Sequence, residues 1–520
     1  MNVRHLALTI FALILGAAPA VLAGGMEVTE NGAPILGRSG AFTARGDHPM
    51  AIHYNPGALT RLKGSHFYFG SNLINLDFTF TRADLEEQGL LAPDGPYASA
   101  TVKNEPHTFI GPSFAGMYGD GAWAIGGGLY GPGAVGNRYF DPEGPQRFML
   151  TEAETLLAYA TVSGAMQLSD AFSVGLSLQL ATMPKAKFGI DVDGGIKISE
   201  AMPSYHGENA NSAPDEPNPN ISHTELEVMD LSGFTAIAGI HAALSPSWEV
   251  GLSSRLLPVE IDAAGTMTLS AGEGLQEGVG LQSLMDSGKV AVVTSNCASW
   301  EDDCAEDYSA TLKFTLPPWV RLGARYIGRD DEGDETFDVE VDLVYERWSV
   351  LDEYRIGFEG KLKAFNRLET LEDVVIPKNW NDTFAIRVGS NFTPLGSWLV
   401  FRAGAHFETA AVPEETTNID FLGFDRLGGS LGAGLALGPL TVDVAYQLVY
   451  QPDREVTNSE VLIQRPLDPD VELPIATGNG TYESTFHVIG VSLGYSWGAP
   501  DEDEEEDEEE DEEEDEDEDE

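Results

Sequence analysis

Four arginines carry the most explicit chemistry in this sequence: Arg321, Arg325, Arg387 and Arg402. Each lies in a segment where apolar and polar residues alternate, and each occupies the polar register. A guanidinium that leaves bulk water needs an anion, and the planar carboxylate suits its fork of donors. Two sources of carboxylate compete for that role: a ligand, or the chain's own Asp338, Glu340 and Asp342, since buried charges are normally paired. A second pattern, Gly494-Tyr495-Ser496-Trp497-Gly498, spells G-x-S-x-G. It makes a nucleophile only at a strained strand-to-helix elbow, and here an acidic tail follows where the helix would be, so it reads as a chance match. The Gly-rich run 428–434 likewise lacks the helix a phosphate loop needs. There is no H-E-x-x-H and no paired C-x-x-C, and the ten histidines are scattered. The sequence therefore points to no metal centre, no cofactor and no enzyme.

Strands must position those arginines. Phe337, Val339, Val341, Leu343 and Tyr345 alternate with Asp338, Glu340, Asp342, Val344 and Glu346. Phe172, Val174, Leu176, Leu178 and Leu180 alternate with Ser173, Gly175, Ser177 and Gln179, and residues 441–450 do the same. Successive side chains on a strand point to opposite faces, so each strand has an apolar and a polar face. The connections alternate too. Short ones fall at 119–121, 169–170, 245–247, 328–334, 393–396 and 438–439. Long polar ones fall at 83–106, 132–147, 192–222, 270–306, 357–378, 410–426 and 452–480. Six short turns and seven long loops join fourteen antiparallel strands, the pattern of an all-β outer-membrane barrel.

Export fits that reading. Arg4 followed by an apolar stretch over 6–20 and Val21-Leu22-Ala23 has the form of a signal peptide over 1–23, cleaved near Ala23. No later run reaches the ~18 apolar residues of a spanning helix. Trp123, Trp248, Trp398 and Trp497 each sit near a short turn, where amphipathic rings gather at a membrane interface. Cys297 and Cys304 lie close together in one long loop, and in an exported chain a local disulfide is their simplest state. A metal site using them with Glu301, Asp302 and Asp303 would lack any histidine. The net charge is −55, of which residues 501–520 supply twenty consecutive acidic side chains. Without them 64 acidic residues still face 29 basic ones, so nucleic acid is excluded as a partner. The tail, 498–520, is expected to be disordered, either as a solvated charge brush or as a binder of divalent cations or basic proteins.

A family resemblance adds to this. Residues 24–63 contain Leu36-Gly37-Arg38-Ser39-Gly40-Ala41-Phe42 and Tyr54-Asn55-Pro56-Gly57-Ala58. This block resembles the plug, or hatch, of the FadL/TodX family of outer-membrane transporters for long-chain fatty acids and other hydrophobic compounds, with Gly57-Ala58 inverting the family's usual order. Leu316-Pro317-Pro318-Trp319-Val320-Arg321, Trp348-Ser349, Asn379-Trp380-Asn381-Asp382-Thr383 and the closing segment 487–497 are similar to later family segments, in the family's order. The acidic tail departs from the family.

The resemblance implies a hatch over 24–63 with gating residues Gly37, Gly40, Asn55 and Pro56, inside a barrel over 64–497 in a Gram-negative outer membrane. It further implies capture at an outer groove assigned to 132–147 and 192–222, passive diffusion inward, and lateral exit where the third strand, 122–130, kinks. Gly126, Gly127 and Gly128 are the glycines expected to make that kink. Asn55 and Pro56 are expected to contact it. Expected partners are long-chain fatty acids or hydrocarbons and the surrounding lipid, with the chain a monomer. Two other readings remain: a transporter of aromatic hydrocarbons, and a closed adhesive or structural surface barrel.

Overall fold

The computed structural model describes residues 30–83, 101–105, 108–131, 137–193, 221–271, 290–364, 367–371, 373–394, 396, 398–462 and 476–498. The signal segment 1–23, the acidic tail beyond 498 and most of the 192–222 loop lie outside the described residues.

Among the described residues, fourteen antiparallel strands close on themselves. They are β1 Gly64–Arg82, β2 Thr108–Gly119, β3 Trp123–Tyr130, β4 Glu152–Ser169, β5 Phe172–Asp193 and β6 Ile221–Ser245. Next come β7 (Trp248–Arg255, resuming as Val259–Ala271), β8 (Ser309–Leu316 and Trp319–Arg329), β9 (Glu335–Glu346 and Glu353–Phe358) and β10 (Val374–Pro377 and Thr383–Phe392). The circuit ends with β11 Leu399–Glu408, β12 Arg426–Leu437, β13 Leu440–Val456 and β14 Gly480–Trp497. β14 pairs with β1 from Ser65↔Trp497 to Arg82↔Gly480, which removes every free sheet edge at that seam. The outward face carries the large apolar side chains: Leu431 is 67% exposed and Val162 63%. Trp123, Trp248, Trp398 and Trp497 are all exposed near the short-turn rim, and Trp248 meets Tyr326 at 5.2 Å between ring centroids. A wall that is apolar on the outside and ringed by aromatic residues suits lipid.

The lumen changes character with height. Near the short turns the inward residues are polar: Glu249, Ser253 and Arg255 on β7, Arg321 and Arg325 on β8. Further up, the same strands turn apolar side chains inward: Val259, Ile261 and Ala263 on β7, Ala310, Leu312 and Leu316 on β8. The change coincides with a seam across four adjacent strands. β7 breaks at 256–258, β8 at 317–318, β9 at 347–352 and β10 at 378–382. Pro258, Pro317, Pro318 and Pro377 lie at or beside these breaks, and proline cannot donate to a ladder. Trp319, Trp348 and Trp380 lie buried along the seam, the last two with ring centroids 5.0 Å apart.

Two of the long connections fold inward and do not stand out in solvent. Residues 140–151 bury Phe148, Met149 and Leu150, and residues 409–425 bury Ala411, Ile419 and Phe424. A separate three-stranded sheet of Val290–Thr294, Gly360–Ala364 and Arg367–Thr370 is built from two other loops, beside the Cys297–Cys304 disulfide.

The N-terminal residues 30–62 lie inside the barrel, with helices α1 (Ala33–Leu36) and α2 (Ala51–Tyr54) and a 3-10 turn, Pro56–Arg61. The wall is hollowed to admit them. A Cβ added to Gly175 would lie 2.4 Å from the Pro56 carbonyl, one on Gly251 2.1 Å from Thr43 O, and one on Gly404 2.3 Å from the Arg38 carbonyl carbon. Gly175 faces Gly239 across the ladder, Gly323 faces Gly251, and Gly389 faces Gly404. These glycines form a belt against which the hatch backbone sits.

Gly126, Gly127 and Gly128 lie in β3, the first and last of them against Ile52. They sit in an unbroken ladder with both β2 and β4. A Cβ on Gly128 would lie 2.5 Å from the Phe114 carbonyl oxygen of β2 and 2.7 Å from Ile52 Cδ1, so Gly128 admits close approach by both the neighbouring strand and the hatch. The pairing changes above these glycines. β3 ends at Tyr130, and above it residues 108–112 of β2 pair only with β1, while residues 154–158 of β4 pair only with β5, among the described residues.

Candidate functional site

The hatch is seated by charge on one side. Asp338, Glu340 and Asp342 alternate along β9, so all three carboxylates project into the lumen. Asp342 accepts from the backbone N–H of Phe42 (2.9 Å) and Thr43 (3.0 Å), and Glu340 accepts from that of Ala44 at 2.6 Å. Asp338 takes three guanidiniums, those of Arg38, Arg45 and Arg325, each at 2.7 Å. Arg38 also reaches Glu340 at 3.1 Å and Asn391 at 2.7 Å. Glu30, at the start of the described hatch, pairs with Arg387. Burial opposes the Glu30 charge, but the neighbouring Arg387 outweighs it and holds the carboxyl below its usual range.

These contacts sort the four arginines. All four lie inside the barrel. Arg325 is taken by Asp338, Glu249 and Glu335; Arg387 by Glu30 and by Glu408 at 3.0 Å; Arg402 by Asp443 at 2.8 Å. Arg321 differs. It has no ion pair among the described residues, and its guanidinium lies over the rings of Trp319 (4.4 Å) and Tyr54 (5.0 Å). Its Nε and the Trp319 Nε1 are buried without a hydrogen-bond partner there. Two unmatched donors side by side fit an acceptor group.

Sequence reasoning missed what surrounds Arg321. His53 of α2 lies 5.2 Å from the Tyr130 ring and 5.9 Å from Trp319, between centroids, and Tyr159 completes the group 6.0 Å from Tyr130. Arg255 covers the other side, 5.2 Å over Tyr159. Burial, then the positive charges of Arg321 and Arg255, push the His53 pKa well down, so the ring is neutral. The rings come from α2, β3, β4 and β8, and only folding brings them together. One signal was available: Tyr130 ends β3 and Trp319 follows a double proline.

The predicted hatch residues have definite places. Gly37 packs against Gly432 and the Arg402 side chain, and Gly40 takes a left-handed conformation (φ 78°) beside Arg387. Asn55 donates from Nδ2 to Thr43 O (2.8 Å) and to Ile240 O of β6 (2.9 Å), while its Oδ1 accepts from Gly57 N. Asn55 and Pro56 thus face β5 and β6, and it is Ile52 and His53 that face β3. Ser496 Oγ is 2.8 Å from His66 Nδ1, but both lie on the flat ladder of β1 and β14, with the His66 Nε2 at the Lys63 carbonyl. That geometry has neither the elbow nor the orienting carboxylate of a hydrolase.

Solved structures share this architecture. The chain is similar to a Pseudomonas aeruginosa FadL homologue, with 17% identity, TM-score 0.67, and coverage of 92% of this chain and 100% of that one. It is similar to the Ralstonia pickettii toluene transporter TbuX (16% identity, TM-score 0.58, 91% and 99% covered) and to the P. putida toluene transporter TodX (13%, 0.56, 90% and 99%). No curated protein matches the sequence. Residues 14–497 match the family described as outer membrane protein transport protein (OMPP1/FadL/TodX). With that match running from residue 14 to the last barrel strand, the chain belongs to the FadL/TodX family of outer-membrane transport proteins.

Proposed function

We propose that this protein imports long-chain fatty acids, or similar amphiphiles, by passive diffusion. The observation that carries the reading is the reversal of lumen polarity. The inward residues above the seam are apolar on β7 and β8, whereas a water-filled pore would line them with polar groups. At the foot of this apolar stretch stands Arg321, with no ion pair among the described residues. An acyl chain suits the upper lumen and its carboxylate suits Arg321. The exit we propose is lateral, beside Tyr130, where β3 ends and, among the described residues, nothing directly above it pairs with both β2 and β4. Residues 24–63 act as the hatch that bars a continuous water channel. We assign the acidic tail, which follows β14 in the sequence, to the periplasm.

A second reading, aromatic hydrocarbons, is favoured by the ring cluster of His53, Tyr130, Tyr159 and Trp319. Arg321→Met separates the two. A lost charge-assisted hydrogen bond costs about 1.5–3 kcal/mol, so oleate uptake should fall at least about tenfold at equal surface level while toluene uptake stays constant. Unchanged oleate uptake in this variant would remove Arg321 from the pathway.

A further inference from the structure

One outer connection fills part of the apolar upper lumen. The connection between β11 and β12, residues 409–425, dips into it and is buried nearly throughout, with Ala411, Thr417 and Ile419 at 0% exposure. Its two sides face different groups. Ala411, Val412 and Phe421 join the same apolar cluster as Val259, Ile261 and Leu312 of the lumen wall. Ile419, Leu422 and Phe424 instead meet Phe140, Met149 and Leu150 of the other infolded connection. Phe421 meets Tyr354 of β9 edge-on, with 6.4 Å between ring centroids, and so occupies wall that an incoming ligand would otherwise contact.

The polar ties of this segment converge on one point. Asp420 forms a buried ion pair with Lys378, at the break in β10, and the Lys378 ammonium stands 4.4 Å over the Tyr354 ring. Thr416 Oγ1 donates to Lys378 O at 2.6 Å, and Arg138 donates to the Asp420 carbonyl while its guanidinium covers Phe421. Arg454 and Gln451 of β13 hold the backbone at Val412 O (2.8 Å) and Leu422 O (2.9 Å). A buried ion pair is stable when both members are present, and costly when one is left alone. Such a contact has two states, made or broken, and the apolar contacts around it are of the kind an apolar ligand can replace.

We propose that residues 409–425 form an outer lid over the apolar lumen, and that the Lys378–Asp420 ion pair is its latch. The proposal rests on the reading of this protein as a carrier of hydrophobic molecules from outside. The lid closes the lumen at rest, with Phe421 in place of ligand, and entry requires the segment to swing outward.

The test needs no ligand, so it can fail or succeed independently of any uptake result. Ile261→Cys places a thiol on the lumen wall that shares the apolar cluster with Phe421. Both native cysteines are tied up in their disulfide. Intact cells are treated with a sulfonated fluorescent maleimide too large for general porins. Labelling should be slow in the I261C parent and rise at least about tenfold with either Lys378→Met or Asp420→Asn. The double variant Lys378→Met, Asp420→Leu, which replaces the pair by apolar side chains, should restore slow labelling. Phe421→Ala, which keeps the ion pair, should also accelerate labelling, and it serves if a latch variant does not reach the surface. Single variants that label at the parent rate, or a double variant as fast as the singles, would overturn the latch.

Discussion

Asp338→Ala is expected to unseat the hatch while leaving the barrel closed. Asp338 is fully buried and is the shared anion of Arg38, Arg45 and Arg325, two of them from the hatch and one from the wall. Removing one member of a buried charge cluster costs about 3–5 kcal/mol, because the remaining charges keep their desolvation penalty and lose their partner. Arg38 would retain only Glu340 as a carboxylate partner, and Arg45 would retain its more exposed partners Asp47 and Glu335. The barrel does not depend on this carboxylate, because its strands are joined by backbone ladders from β1 round to β14. The expected readout is entry of a hydrophilic antibiotic that intact outer membranes exclude, raised at least about tenfold with normal heat-modifiable migration. A variant that remains as impermeable as the parent, with the hatch still resistant to protease, would show that the charge cluster does not hold it.

Gly239→Leu should have an effect of similar size by a different route. A Cβ at this position would lie 2.2 Å from Asn55 Oδ1 and 2.7 Å from Pro56 Cδ, closer than real Cβ atoms come. The hatch cannot give way locally, since Asn55 is already fixed by hydrogen bonds to Thr43 O and Ile240 O. The clash must break that pair of bonds or lift the turn at Pro56–Arg61 off β5 and β6, and overpacking of a rigid contact costs about 1–3 kcal/mol or more. The control is Gly429→Leu, where an added Cβ meets nothing within 4 Å. Antibiotic entry should rise in the first variant and not in the second. Equal behaviour of the two would mean that the glycine belt has no role in seating the hatch.

How much of this could be read from the sequence depended on which interactions were local. Strand alternation such as Phe337 to Glu346 is a property of neighbouring residues, so the fourteen strands and the inward direction of the arginines were legible. Partners were not: Arg38 and Asp338 are 300 residues apart, and nothing local links them. The lumen's upper half was hidden for a related reason. On β7 the apolar residues face outward at Val250 and Leu252, but inward at Val259, Ile261 and Ala263, with Glu260 and Asp262 outside. Alternation reports that two faces differ and cannot say which of them meets lipid. For the Gly126 to Gly128 run, residue type alone leaves two roles open, because glycine serves both backbone freedom and close approach, and the nearness of Ile52 and of the Phe114 carbonyl to Gly128 emerges only in the fold. The 140–151 and 409–425 connections carry Pro, Gly, Asn and Asp like exposed loops, and their burial depends on one another.

The central claim is that the hatch-filled barrel carries a hydrophobic acid across the outer membrane. The direct measurement is uptake of labelled oleate by bacteria that lack their own fatty-acid porin, with this chain verified at the surface, alongside its Asn55→Ala variant. Uptake well above that of cells without the chain, altered in the variant at equal surface level, is the expected result. Uptake no greater than in cells without the chain would contradict the claim for long-chain fatty acids.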